Sequence, residues 1–360
     1  MEAARFDYHL PKEAIAQVPA DRRDQSRLLL VHRSTGQVAD HFFRELPDLL
    51  PRPATCFRNT VKVMKGRIHA ERSGGGRVEC LLLNPASDSP ATTWWCLLRP
   101  GKKLPVGAIF QIPDVFEGEV LEKNEEGMVK VRFKLHRHES VLSLADDEGQ
   151  MPLPPYIQRA EQDKRSKLDE ERYQTVYADP QKPFAAAAPT AGLHFTPTVL
   201  NRMVEGGNRF QDLTLHVGLG TFKPIQADLV EAHTMHEEFY EIPQVTREAM
   251  TARDQRIKLA VGTTSLRAME DFFRYTRKHE VPREGTFGKH TDLYIYPPEH
   301  FTTDALLTNF HLPRSTLLCL VSAFLTPGST DGVDWLLQIY EAALKRNYRF
   351  YSYGDAMLIL

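Results

Sequence analysis

The chain has 360 residues, of which 42% are hydrophobic and 26% charged, with a formal net charge of −2. That is ample apolar content for a packed core in about two domains, and it excludes an intrinsically disordered chain. The longest strongly apolar stretch, residues 317–325, falls well short of the roughly 20 residues that a membrane span requires, so no membrane association is expected.

Taken in chain order, the N-terminal MEAARFDYHLPKE carries acidic residues where an export signal would be apolar, which points to a cytoplasmic protein. Residues 11–17 predict a short helix. Cys56, Cys80, Cys96 and Cys319 lie far apart without CxxC spacing, a pattern that supports neither a zinc site nor a disulfide framework. Residues 52–103 hold ten Lys and Arg against three Asp and Glu, an excess expected of a surface that meets phosphates. The same region opens a series of short β-prone runs: RVECLLL (77–83), TTWWCLL (92–98), AIFQI (108–112), GEVLEK (118–123) and MVKVRFKL (128–135). In the last, Val129, Val131, Phe133 and Leu135 alternate with Lys130, Arg132 and Lys134, as in a half-buried strand of a small barrel or sandwich. The charged run 159–172 reads as a solvated or mobile connection near the inserted unit.

From Thr196 onward the period changes. Helices are predicted over 197–205 and 245–255 and beginning near Ser265, Ser315 and Asp334, and strands over 212–217, 257–262 and 292–296. The expected fold is a mixed α/β core of residues 1–66 plus 150–360, with a small β-barrel inserted at 67–149.

Several small-residue turns sit between strands and helices, and each has polar groups at the helix mouth. AAAAPTAGLHFTP (185–197) runs through Thr190 and Gly192 to His194, then to a Thr196-Pro197 helix start. LHVGLGTF (215–222) carries His216, Gly218 and Gly220 but lacks the third glycine and the helix of a dinucleotide fingerprint. AVGTTSLRAME (260–270) places Thr263, Thr264, Ser265 and Arg267 at a helix N-terminus, which suits a carboxylate or phosphate. HTMHEEF (233–239) spaces His233 and His236 three apart, ahead of Glu237, without the HExxH pattern of a zinc site, and no metal is expected. TNFHLPRST (308–316) brings Asn309 and His311 to another helix start.

Ten segments in order resemble one family. They are RDQSRLLL, RPGKKLPVG, MPLPPYI, YQTVYA, APTAGLHFT, LHVGLGTFKPI, HTMHEEFYEI, AVGTTSLRAME, TNFHLPRSTLL and YRFYSYGDAMLIL. Together they resemble the S-adenosylmethionine:tRNA ribosyltransferase-isomerases of queuosine biosynthesis, nearly end to end. The segment CFRNTVKVMKGRI (56–68) departs from the family's usual run near the first junction.

The resemblance implies an α/β core with an inserted barrel and S-adenosylmethionine as co-substrate. It implies transfer and isomerisation of the ribosyl group onto 7-aminomethyl-7-deazaguanine at the wobble position of a tRNA with a GUN-type anticodon, giving epoxyqueuosine with release of adenine and methionine. A monomer is expected. Such chemistry needs a base for the 5′ proton beside the sulfonium, an acid for departing adenine, and an anchor for the methionine carboxylate. His194 and His236 are the candidate acid and base, with Glu237 as orienter and His216 and His311 as alternatives. Thr263, Thr264, Ser265 and Arg267 are the candidate anion anchor, and Thr190, Gly192, Gly218, Gly220 and Asn309 complete the expected substrate contacts. Arg99, Lys102 and Lys103, near Trp94 and Trp95, are the expected tRNA contacts, with the Trp pair favoured as barrel core. The rival readings are an S-adenosylmethionine-dependent RNA methyltransferase, for which no GxGxG strand–helix unit is present, and a non-catalytic tRNA binder.

Overall fold

Near-continuous apolar runs such as RLLLV, IKLAV, ALLTN and AMLI are what a sheet covered on both faces requires. The computed structural model describes every residue except 87, 88, 90, 126, 160–162, 183, 184, 186 and 219–223. In chain order the strands are β1 (Arg27–Val31), β2 (Val38–Phe42), β3 (Ala54–Asn59), β4 (Arg67–Arg72), β5 (Arg77–Pro85), β6 (Thr93–Arg99), β7 (Ile109–Ile112), β8 (Phe116–Lys123), β9 (Val129–Leu135), β10 (Arg209–Leu215), β11 (Glu238–Ile242), β12 (Ile257–Val261), β13 (Phe287–Thr291), β14 (Ala305–Asn309) and β15 (Ala356–Ile359). The helices are α1 (Leu46–Leu49), α2 (Val141–Glu148), α3 (Ser166–Arg172), α4 (Pro197–Glu205), α5 (Gln244–Thr251), α6 (Thr263–Thr276), α7 (Thr316–Leu325) and α8 (Gly332–Lys345).

Nine strands form one mixed sheet in the order β13-β11-β10-β3-β12-β14-β15-β1-β2. Side chains alternate across it, so each central strand feeds two cores. Leu29, Phe57, Ala260, Leu306 and Met357 pack with α6, α7 and α8 on one face. Leu28, Cys56, Leu259, Leu307 and Leu358 pack with Phe195, Val199 and Met203 on the other. The result is a three-layer core, a form of the mixed α/β fold that was expected.

The second unit is a closed antiparallel barrel, β4-β5-β6-β9-β8-β7. Ile68, Val78, Trp94, Phe110, Val120, Val131 and Phe133 fill it, and α2 adds Val141, Leu144 and Ala145. On its outer face Arg132 and Lys134 are paired across strands with Glu119 (2.6 Å) and Glu117 (3.3 Å). Trp94 is therefore core, as favoured for the pair, but Trp95, the next residue along β6, is only half-buried and lies outside that core. Among the described residues, no helix is long and apolar enough to cross a membrane.

Three local expectations are corrected. Residues 11–17 form only the short turn Lys12–Ala14, because Ala16 N–H donates to Phe350 O (3.2 Å) and Phe350 N–H to Ala14 O (2.7 Å), drawing the chain into extended pairing. Residues 292–296 are not a strand: the ladder ends at Thr291, and Leu293 O accepts from Arg267 Nε (2.8 Å) instead of from a neighbouring strand. The charged run 159–172 is not simply solvated, although residues 160–162 lie outside the described residues. Asp169, 1% exposed, takes Arg159 at 2.6 and 2.8 Å and Tyr353 Oη at 2.9 Å, and Arg172 donates to the carbonyls of Ala20 and Asp21.

Candidate active site

Topology decides where the polar turns meet. Strands β10, β3, β12 and β14 run parallel, so their C-terminal ends share one edge of the sheet. Antiparallel pairing sets Asn309 of β14 opposite Ala356 of β15, and parallel pairing sets Ala356 beside Leu28 of β1. The starts of β15 and β1 therefore lie on that same edge, which is where ligands bind in open α/β sheets. A cleft opens there with about 540 Å³ of empty space, its mouth included, walled by Thr190, Ala191, Val217, Thr263, Thr264, Asn309, Phe310, His311 and Tyr351. A second lobe of about 340 Å³, its open mouth again included, shares Thr263, Thr264 and Leu317 and reaches Glu238, Arg267, Tyr294 and Thr316. The N-terminus of α6 thus stands between two lobes of one cleft.

The small residues of the 188–196 segment have two uses. Ala188, Pro189, Thr190 and Ala191 line the cleft itself. Gly192 instead packs against the wall behind it: a Cβ there would lie 2.1 Å from Tyr177 Oη and 2.9 Å from Thr175 Cγ2. Gly262, between β12 and α6, has φ +90°, a conformation an L side chain resists, and it turns the first N–H groups of α6 toward the cleft.

His194, expected as an acid or base, is not placed on the cleft wall. It is 4% exposed, stands behind Asn309 rather than on the cleft wall, and has both ring nitrogens engaged. Nδ1 is 2.7 Å from Ser26 Oγ, and Nε2 is 3.1 Å from Asn309 Nδ2. The Asn309 Nδ2 group also faces two carbonyls, Tyr351 O (3.4 Å) and Asp355 O (3.3 Å), so that end of the amide is the donor. Nε2 of His194 must then accept, and Nδ1–H donates to Ser26 Oγ, whose own hydroxyl donates to Arg23 O (3.1 Å). Burial, with Arg349, Arg23 and Arg172 adding repulsion, pushes the His194 pKa down to about 3 and keeps the ring neutral.

His311 is the histidine that faces the cleft. Its Nε2 lies 2.9 Å from Thr308 Oγ1, and that hydroxyl donates to Asn309 O (3.3 Å), so Nε2–H is the donor in the pair. Nδ1 keeps its lone pair, and nothing among the described residues bonds to it. The His311 backbone N–H donates to Tyr340 Oη (3.0 Å), which fixes the turn. Burial alone lowers the His311 pKa to about 3. Three buried oxygens of cleft-lining residues have no partner among the described residues: Asn309 Oδ1, Thr264 Oγ1 and Thr316 Oγ1. Orphaned polar atoms are costly in a core and cluster where a ligand completes them.

The remaining expected residues are placed as follows. Arg267 reaches the second lobe, but its guanidinium is engaged by Glu238, Leu293 O (2.8 Å) and Thr291 O (3.1 Å), so it frames the cleft instead of offering a bare cation. Ser265 is buried, with Oγ donating to Val261 O (2.8 Å), and is not among the residues lining either lobe. Met235 and Glu238 border the second lobe while His236 and Glu237 between them do not, and Glu237 turns out to solvent, 4.0 Å from His290, away from any orienting role. His216 stacks on Phe239 (5.8 Å) and lies 3.7 Å from Glu241, off the cleft wall. Gly218 N–H donates to Glu238 Oε1 (2.9 Å), and Gly220 lies outside the described residues. Arg99, with its side chain 78% exposed, begins the turn that carries the exposed Lys102 and Lys103. Among the described residues no group of three or more His, Cys, Asp or Glu could hold a metal ion. Tyr351 and Leu317 were missed as walls, because a tyrosine or leucine carries no local signal of facing a cleft.

The family model described as "Queuosine biosynthesis protein" matches residues 3–359. The chain is 40% identical over 363 residues to a protein of Thermotoga maritima and 42% identical over 366 residues to one of Desulfitobacterium hafniense, with 100% of both chains covered in each case. Both relatives are named S-adenosylmethionine:tRNA ribosyltransferase-isomerase. The crystal structure of S-adenosylmethionine tRNA ribosyltransferase from Thermotoga maritima matches with a TM-score of 0.53 at 33% identity, covering 99% of this chain and 100% of that one.

Proposed function

The chain belongs to the queuosine biosynthesis protein family, and on that premise we propose that its two-lobed cleft holds S-adenosylmethionine for ribosyl transfer to tRNA. The enzyme transfers and isomerises the ribosyl group of S-adenosylmethionine onto 7-aminomethyl-7-deazaguanine at the wobble position, giving epoxyqueuosine-tRNA, adenine and methionine. The observation that carries the reading is the meeting of three turns, 190–191, 263–264 and 309–311, on one cleft at the C-terminal edge of the parallel strands.

The adenosyl group occupies the larger lobe, against the small residues Ala188 and Ala191. The methionine carboxylate sits on the first N–H groups of α6, where backbone donors and the helix dipole favour an anion, so the anchor needs no free cation from Arg267. His311 Nδ1 removes the 5′ proton that the adjacent sulfonium acidifies. As imidazolium forms, the sulfonium becomes a neutral ylide, so the number of positive charges in the cleft is unchanged and the buried site tolerates the transfer. Adenine then leaves with the proton that His311 took up, the aminomethyl nitrogen attacks the sugar and gives up a proton to solvent, and closure of the epoxide expels methionine. Burial keeps His311 neutral near neutrality but also weakens it as a base, so its proton uptake depends on the sulfonium losing its charge in the same step.

The tRNA, of GUN-type anticodon, approaches along the turn of Arg99, Lys102 and Lys103. Unlike Arg132 and Lys134, Lys102 and Lys103 have no ion-pair partner among the described residues. The barrel at 67–149 is an inserted unit in a core of 1–66 plus 150–360, and the enzyme works as a cytoplasmic monomer. Purified protein with S-adenosylmethionine and tRNA bearing the aminomethyl base should yield adenine and methionine in equal amounts, with an equal gain of modified tRNA. S-Adenosylhomocysteine as product would show a methyltransferase, and tRNA binding with an intact donor would show a non-catalytic binder.

A further inference from the structure

We infer that Asn309 is the residue that reads the exocyclic amine of the donor's purine, and that His194 is a positioning residue that locks its amide for that task. The inference rests on the proposed adenosyl site and deepens it. Asn309 is 2% exposed and on the cleft wall, yet among the described residues its Oδ1 has no partner while its Nδ2 has three acceptors within 3.4 Å: His194 Nε2, Tyr351 O and Asp355 O. An amide held so firmly at its nitrogen end cannot flip without setting its oxygen against two carbonyls. The oxygen end is thereby fixed as a pure acceptor, buried in a residue that lines the cleft, so a ligand seated against Asn309 is what would complete it.

The neutral His194 is necessary to this lock. Its Nδ1–H is committed to Ser26 Oγ, which itself donates to Arg23 O, so the chain Arg23 O, Ser26, His194, Asn309 runs in one direction and presents a lone pair at Nε2. A protonated ring would offer a donor to the Asn309 amide nitrogen and break the sequence. A buried, directionally fixed acceptor selects a ligand that offers N–H at that point and rejects an isostere that offers a carbonyl, because two acceptors then face each other with no water. Around it, Phe310, Tyr351 and Tyr156 give aromatic walls suited to a flat heterocycle. On a purine the group that distinguishes such partners is the 6-position: amino in adenine, oxo in hypoxanthine.

The test is calorimetric and needs no turnover. S-Adenosylmethionine and its 6-oxo analogue, with hypoxanthine replacing adenine, are titrated into the intact enzyme without tRNA. The wild type should bind the amino form about 10- to 100-fold more tightly. Asn309→Ala should bind both alike, as should His194→Ala, whereas His194→Gln, whose side-chain oxygen can accept from Asn309 Nδ2, should restore part of the preference. In turnover His194→Ala should raise KM for the donor far more than it lowers kcat, which a catalytic histidine would not do. Equal affinity of the wild type for both ligands, or a full preference kept by Asn309→Ala, would overturn the inference even if every variant is folded. Absence of tRNA modification by a wild type that still prefers the amino form would instead remove the reaction assignment and leave this subsite standing.

Discussion

Two imidazoles buried in the neutral state make the fold sensitive to mild acid. His194 and His311 each have a folded pKa of about 3 against an ordinary value of 6.5, the first from burial with three arginines nearby and the second from burial alone. The folded chain therefore binds fewer protons than the unfolded chain between these values, so the stability present above pH 6.5 is lost as pH falls toward 3. At pH 5 the unfolded imidazole is almost wholly protonated and the folded one almost wholly neutral, a difference of about 2 kcal/mol for each residue and about 4 kcal/mol for the pair. Against a total stability of about 5–15 kcal/mol, that is a large fraction. Urea midpoints measured at pH 7.5 and pH 5.0 for the wild type, His194→Gln and His311→Gln would read it. Each variant, whatever its stability at pH 7.5, should lose about 2 kcal/mol less than the wild type on acidification. The raised pKa values of Asp355 and Glu270, both caused chiefly by burial, work in the opposite sense but are common to all three proteins and cancel. Identical losses in wild type and variants would refute the claim that these rings are buried and neutral.

Further consequences concern the cleft wall and the tRNA. Lys102→Glu with Lys103→Glu should raise KM for tRNA and flatten the salt dependence of tRNA binding by roughly 0.7–0.9 in logarithmic slope for each phosphate no longer neutralised, while calorimetric affinity for S-adenosylmethionine stays at the wild-type value. Arg267→Ala leaves Glu238, 5% exposed, buried without its guanidinium and should cost about 3–5 kcal/mol in urea unfolding, whereas replacing both residues by Met and Leu should cost much less. Gly192→Ala drives a methyl to 2.1 Å from Tyr177 Oη and should destabilise by about 1–3 kcal/mol, with part of the loss recovered in the Gly192→Ala, Tyr177→Phe double variant.

Legibility from the sequence followed the range of the interactions involved. The strict alternation of Val129, Val131 and Phe133 is a local consequence of pleating, and it predicted a half-buried barrel strand that the structure contains. The Thr196-Pro197 and Ser315 helix starts were readable because each cap closes within three residues, Thr196 Oγ1 accepting from Val199 N–H and Ser315 Oγ from Leu318 N–H. β3 and β15 carried no comparable punctuation, and they exist because long-range parallel pairing places them in the sheet. At the cleft, Thr190, Thr263, Thr264, Asn309 and His311 could be singled out because a small residue before a helix start is a local signal. Which histidine faces the cleft was not legible. His194 and His311 sit in similar polar turns, and only the tertiary placement of Ser26 and Asn309, 168 and 115 residues from His194, shows that its nitrogens are already engaged. Arg267 was misjudged for the same reason, since Glu238 meets it across 29 residues of chain.

One cleft, shared by the strand ends and the α6 N-terminus, must hold the donor if this mechanism operates. A crystal structure of the protein soaked with S-adenosylmethionine tests this directly. The purine should lie in the larger lobe with its amine on Asn309 Oδ1, the 5′ carbon should face His311 Nδ1, and the carboxylate should rest on the N–H groups of Thr263 and Thr264. Donor density on any other face of the molecule, with this cleft holding only solvent, would contradict the mechanism.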